Sequence, residues 1–247
     1  MCRGSYLLKY FESRLKANFD NIEDIKEKIE FCERLGIKNI ILEPTISLNT
    51  IPLDIKENLK EVTNINLYYR INLKPNNLTT FKKKIKNYNR FSDILSVETS
   101  DKEIQIHAAR DSRVDIISFS EHDILKTLTP GVISLIKQNS SFIEFSLAPI
   151  MENNKSFQSK NFRNSYRFLQ LARRLNVNYI ISGNFNEVFD FRNPRAMISI
   201  CHSLLGIPLL EAKAAFSDNI QLLLNRVNQR QDKDLIEDGV RLIGSEG

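Results

Sequence analysis

Histidine is scarce in this chain. His107, His122 and His202 are the only three in 247 residues, and none stands in an H-x-H, H-E-x-x-H or Cys-x-x-Cys setting. Without such spacing the sequence carries no zinc signature. Glycine is sparse too: the eight residues form no G-x-x-x-x-G-K-[ST], G-x-G-x-x-G or G-x-S-x-G arrangement. That leaves no recognisable phosphate cradle and no nucleophile elbow. The three cysteines, Cys2, Cys32 and Cys201, lie far apart, and a sparse odd number builds no disulfide framework. No apolar run approaches the roughly 18–20 residues of a spanning helix. Met1 to Tyr10 carries Arg3 and Lys9 but neither a long apolar core nor a small-residue cleavage site, so it does not read as a signal peptide. The expectation is a cytoplasmic protein with no membrane partner.

What is present is a rhythm. The chain is 42% apolar and 26% charged, a composition that buries a large core. Expected strands are Asn39 to Leu42, Ile65 to Leu73, Asp93 to Val97, Val114 to Phe119, Phe142 to Leu147 and Asn178 to Ile181. Several are apolar at consecutive positions, as strands buried on both faces require. A further strand near Leu7 to Leu15 is interrupted by Lys9, Glu12 and Arg14. Helical spacing links Ile22, Ile25, Ile29 and Cys32, with Gly36 as the stop, and also Phe162, Tyr166, Leu169 and Ala172. Asn193-Pro194 opens a helix that buries Met197, Cys201 and Leu204. About seven β/α units with no polar linker predict one α/β domain, a TIM-like (β/α) barrel over residues 1–229. Pro149 to Lys160 reads as a long polar loop. Residues 230–247, with Asp232, Asp234, Glu237 and Asp238, read as an acidic tail lying loosely on the surface.

The net charge is +5 and the pI near 9.0, which suits a polyanion partner and equally a lysine-rich solvated surface. Position along the chain is more telling. Arg70 and Lys74 flank the end of one strand, while Lys160, Arg163 and Arg167 open a helix. Arg192 and Arg195 surround the start of the next helix, and Phe157, Tyr166, Phe185 and Phe191 are interleaved with them. Guanidinium forks beside helix N-termini suit phosphates, and neighbouring aromatics can stack unpaired bases. Glu43, Glu98 and Glu144 stand near strand ends and would meet at a barrel mouth, either as acids or metal ligands or as partners for arginines such as Arg70. His122, just after a strand, is the best-placed histidine, against the simpler reading of a capping turn.

Four stretches carry a resemblance: VDIISFS (Val114 to Ser120), FIEFSLAPI (Phe142 to Ile150), ISGNFNEVFDFRNPRAM (Ile181 to Met197) and LLGIPLLEAKAAFSDN (Leu204 to Asn219). Together they resemble the PHP-like barrel subunit of archaeal and eukaryotic ribonuclease P, one of about thirty kilodaltons, over a span from Gly36 to Arg226. The resemblance implies a TIM-like barrel related to PHP phosphoesterases. It also implies a place in the endonuclease that removes 5′ leaders from precursor tRNA, where the RNA performs hydrolysis with Mg²⁺. The implied partners are ribonuclease P RNA, a small RRM-like protein subunit, other ribonuclease P proteins and, through the holoenzyme, precursor tRNA. Where PHP phosphoesterases carry H-x-H after the first strand, this chain has Phe11-Glu12-Ser13-Arg14, and no other segment supplies the missing ligands. The expected function is therefore a subunit with no catalytic side chain and no metal or cofactor of its own. Arg70, Lys74, Lys160, Arg163, Arg192, Arg195 and Lys213 are the expected RNA-facing residues. Of these, Arg192 and Lys213 match basic positions that the family uses toward RNA, and the others follow from strand and loop placement. Two alternatives stand beside this: a metal-dependent phosphoesterase using Glu43, Glu98 and His122, and a barrel scaffold that binds only proteins.

Overall fold

Seven strands pair in sequence order, every pair parallel: β1 (Phe11–Ala17), β2 (Asn39–Pro44), β3 (Asn66–Leu73), β4 (Ile94–Glu98), β5 (Ile116–Phe119), β6 (Phe142–Ser146) and β7 (Tyr179–Ser182). The computed structural model describes residues 9–151, 153–231, 235–237 and 240–241. Between the strands run α1 (Ile22–Arg34), α2 (Leu53–Val62), α3 (Leu78–Ile85), α4 (Lys102–Arg110), α5 (His122–Leu125), α6 (Pro130–Gln138) and α7 (Lys155–Arg174). After β7 come α8 (Pro194–Ser203), α9 (Leu209–Ala215) and α10 (Asp218–Gln231). The result is the TIM-like barrel the alternation predicts, nearly closed. Among the described residues no helix is long and apolar enough to cross a membrane.

Closure depends on the segment after β7. Leu15 bridges Phe185 in parallel, and the Lys16 amide donates to the Phe185 carbonyl at 3.0 Å. Phe185 folds back so tightly that a Cβ on Gly183 would sit 2.3 Å from its ring, which is why a glycine stands there. The sequence signals at the helix ends hold. Gly36 takes φ +77° after α1, with Leu35, Gly36 and Ile37 amides donating to Phe31, Glu33 and Cys32 carbonyls. Asn193 caps α8 by accepting from the Arg195 amide at 2.9 Å, with Pro194 in the first turn.

The strands carry two faces with different chemistry. Outward residues such as Ile40, Leu42, Leu95, Val97, Ile117 and Ile143 pack under the helices in the main core. Inward residues from six strands (Phe11, Ile41, Ile94, Ile116, Phe142 and Ile180) form a second core with Ile220, Leu223, Leu224 and Val227 of α10. The inward face then alternates on through Ser96 and Glu98 on β4, Ser118 and Ser120 on and after β5, and Glu144 and Ser146 on β6, all buried. The barrel interior thus has an apolar floor, sealed by α10, and a polar upper half toward the C-terminal ends of the strands.

Several expectations are corrected. The first strand spans Phe11–Ala17 and so runs past Leu15, with Lys9 and Tyr10 outside it, and Leu7 and Leu8 lie outside the described residues. The loop expected over Pro149 to Lys160 is a short 3₁₀ turn at Ala148–Ile150 followed by α7 from Lys155. Asn154 begins that helix by accepting from the Ser156 and Phe157 amides. Tyr166 and Leu204 are about half exposed instead of buried. Arg230 belongs to α10, not to a tail, and Leu235–Glu237 pairs antiparallel with Val240–Arg241. Of the expected acidic tail, residues 232–234, 238–239 and 242–247 lie outside the described residues.

Candidate functional site

At the mouth of the barrel the three strand-end carboxylates do converge, and what they converge on is arginine. Arg14 on β1 is fully buried. It donates through Nε and Nη2 to both oxygens of Glu43, each at 2.8 Å, and through Nη2 to Glu98 at 2.8 Å. Its Nη1 reaches Ser118 Oγ at 2.9 Å and Glu144 at 3.5 Å. Arg70 on β3 is equally buried and forms a two-pronged pair with Glu144 at 2.9 and 3.0 Å, with its Nε 3.0 Å from Glu43. Neutral side chains complete the network. Ser118 donates to Glu144 at 2.6 Å, Asn72 to Glu98 at 2.6 Å, and Ser120 also to Glu98. A planar fork that satisfies two carboxylates at once is what holds such charges together away from water.

The electrostatics follow. Burial alone opposes ionisation of Glu98 and Glu144, but Arg14 and Lys74 around the first, and Arg70 and Arg14 around the second, outweigh it and hold both at about 2. Their contribution to stability is complete above their ordinary 4.5 and is lost as pH falls toward 2. Glu12, also on β1, behaves oppositely. Burial pushes it to about 8, although the Arg14 and Gly183 amides donate to its Oε1 at 3.3 and 3.2 Å. A raised folded value means that stability present below pH 4.5 is lost as pH rises toward 8. Glu12→Gln keeps the acceptor oxygen and cannot ionise. Thermal melts should therefore coincide with wild type near pH 4.5 and show a growing advantage for the variant up to pH 8. A constant difference across that range would contradict the assignment.

The expected RNA-facing residues fall into three places. Arg70 is corrected outright: at zero exposure, with its guanidinium committed to Glu144, it faces the barrel interior. Lys213 is separated from the others. It lies on α9, which leads to Phe216, and Phe216 accepts from the Phe11 amide and stacks on Tyr10 at 5.2 Å. That places Lys213 toward the floor end of the barrel. Lys74, Lys160, Arg163, Arg192 and Arg195 all lie on segments following strand C-termini and are exposed. Lys74 lies over the network, 3.1 Å from Glu98 and 3.5 Å from Glu121. Arg192 donates to the Phe189 and Phe191 carbonyls at 2.7 and 2.8 Å, bracing its own loop rather than pairing with Glu187 or Asp190.

The phosphoesterase set does not assemble. Glu43 and Glu98 are occupied by Arg14, and His122 Nδ1 is engaged by Asn161 on α7. Among the described residues, no group of three His, Cys, Asp or Glu is arranged as a metal shell. Sequence reasoning missed Arg14 as the centre of the mouth. Arg14 reaches the interior through a register shift of β1 between Glu12 and Leu15, which alternation in the sequence does not announce.

The profile of the family described as RNase P subunit p30 matches residues 10–232. This chain belongs to that family. Its relatives include ribonuclease P protein component 3 of Methanosarcina acetivorans, 21% identical over 238 residues, which are 96% of this chain and 97% of the relative. The component 3 protein of Methanococcoides burtonii is 23% identical over 155 residues, 63% of each chain. A chain in a cryo-EM structure of archaeal ribonuclease P with mature tRNA has the same fold, with a TM-score of 0.78 at 17% identity. That match covers 95% of this chain and 99% of the other. For a p30-family member, the Arg14 and Arg70 network means that the barrel mouth, where enzymes of this architecture place their chemistry, is closed by ion pairs.

Proposed function

We propose that this chain serves ribonuclease P as a structural protein subunit, supporting the catalytic RNA in removing 5′ leaders from precursor tRNA. One observation carries the reading. The carboxylates of the mouth are neutralised from within by Arg14 and Arg70, while Lys160, Arg163, Arg192 and Arg195 around the same end remain exposed. Fixed cations near a folded RNA offset phosphate repulsion, so less Mg²⁺ is needed to hold it together. In this reading Mg²⁺ belongs to the RNA, and the partners are that RNA, a small RRM-like subunit, other ribonuclease P proteins and, through the holoenzyme, precursor tRNA. The assembly works in the cytoplasm.

Reconstituted precursor-tRNA cleavage, with and without this chain, tests it: the chain should raise the rate at low Mg²⁺ and matter less as Mg²⁺ increases. Equal rates at every Mg²⁺ concentration would sink the proposal. Arg195→Ala is the cleanest single probe, because its side chain braces nothing described. RNA affinity should weaken across sequences, and the salt slope should drop by about 0.7–0.9 for one lost phosphate. The melting midpoint should hold, as expected for an exposed charge. A lower midpoint with an unchanged slope would assign Arg195 to the fold.

A further inference from the structure

We propose that the cleft between α5 and α7 receives one ribose-phosphate unit of an RNA strand, with His122 reading the 2′-hydroxyl. His122, Lys126, Lys160, Arg163 and Asn164 line a polar cleft of about 240 Å³. That is smaller than the roughly 300–1,000 Å³ of pockets for drug-sized ligands. Lys160 and Arg163 are three residues apart on α7, so they share a face, and Lys126 meets them from the α5 side. Lys126 has an exposed contact with Asp123 at 2.8 Å, the kind of pair that contributes little and leaves the ammonium available. Three cations around so small a space suit a phosphate.

The histidine supplies the selectivity. Asn161 is fully buried, and its Nδ2 donates to the Pro149 carbonyl at 2.9 Å, which turns its amide oxygen toward His122 Nδ1. An oxygen there can only accept, so in the neutral tautomer Nδ1 holds the proton and Nε2 is the acceptor. No hydrogen bond from a described residue engages Nε2. A 2′-hydroxyl donates to such a nitrogen, and deoxyribose has nothing to offer it. Phe157 completes the unit. It is 48% exposed, lies edge-on to His122 at 6.1 Å and carries the Lys160 ammonium 5.8 Å from its ring centre. An open aromatic face beside a phosphate site is a platform for the adjoining base.

The choice of RNA as the polyanion rests on the ribonuclease P reading, and the test separates the two. The probes are short single strands of one sequence made as RNA, 2′-fluoro RNA and DNA, titrated against the full chain. Fluorine keeps the sugar pucker of RNA but cannot donate. Wild type should bind RNA about three- to tenfold more tightly than the other two, the effect of one hydrogen bond. His122→Phe should bring RNA down to the level of DNA while leaving DNA binding unchanged. Lys160→Ala combined with Arg163→Ala should weaken all three and reduce the salt slope by about 0.7, one single-strand phosphate contact. Equal wild-type affinity for RNA and 2′-fluoro RNA overturns the proposal, and that comparison uses the unaltered chain, so it stands whatever a substitution does to folding. Cleavage that is stimulated by this chain, and by the Lys160/Arg163 double variant with its salt slope intact, overturns the cleft alone. Cleavage indifferent to the chain overturns the subunit reading instead.

Discussion

Arg14→Met should be the most damaging single substitution in the barrel, lowering the melting midpoint by about 6–20 °C, the equivalent of about 3–5 kcal/mol in a domain of this size. The side chain it removes has zero exposure and contacts Glu43, Glu98 and Glu144 at once. Methionine fills the volume but leaves carboxylates facing one another out of reach of water, with only Arg70 and the half-exposed Lys74 to oppose them. The loss is therefore one of charge balance more than of packing. Adding Glu43→Gln and Glu98→Gln to the same chain should recover part of the midpoint, since amides remove the repulsion that methionine created. A single variant that melts within about 2 °C of wild type would show that the mouth is not held by this network. Because the network contributes through ionised carboxylates, the gap between Arg14→Met and wild type should close as pH falls from 4.5 toward 2.

Arg230→Ala should come second, at about 2–4 kcal/mol. Near the end of α10, its guanidinium donates to the carbonyls of Phe91, Asp93 and Arg113 and to both oxygens of the fully buried Asp115, all within 3.1 Å. These bonds tie the last turn of the floor helix beneath β4 and β5. Lysine at 230 should not rescue, because a point charge on a flexible stem cannot span four groups in one plane. Hydrogen exchange distinguishes a local role from a global one: α10 amides should lose protection while those of β2 and β6 keep theirs at low denaturant. Uniform loss across the sheet would mean that the floor and the barrel open as one unit.

The architecture was legible because the outward face of the strands is plainly written. Ile40-Ile41-Leu42 and Tyr179-Ile180-Ile181 are apolar on both faces, and six of the seven strands lie within two residues of where that pattern puts them. β1 was harder, since Glu12, Arg14 and Lys16 give it the look of a strand half in water. That period of two does not survive in the fold: a register shift between Glu12 and Leu15 leaves Glu12 beside outward Ile40 and turns Arg14 in toward Glu43, Glu98 and Glu144, which come from distant strands. Arg70 was misplaced for the same reason: a charge near a strand end reads as a loop residue until the shear of the barrel is known. His122 shows the converse. Its place at the start of α5 was readable, though Glu121 rather than His122 precedes the first turn, and Asn161, which engages its ring, sits on a helix 39 residues away.

The floor helix also sets an order of events during synthesis. All seven strands have been made by Ser182, yet α10 is complete only at Gln231, roughly fifty residues later. At about 5–20 residues per second, the nascent barrel spends several seconds with Phe11, Ile41, Ile94, Ile116, Phe142 and Ile180 lining an open funnel. Those side chains are strongly apolar and ringed by strand ends, the combination that invites chaperones or misassociation. The last helix is in this sense a stopper fitted after the vessel is shaped, and the vulnerable species is the one the ribosome holds just before it arrives.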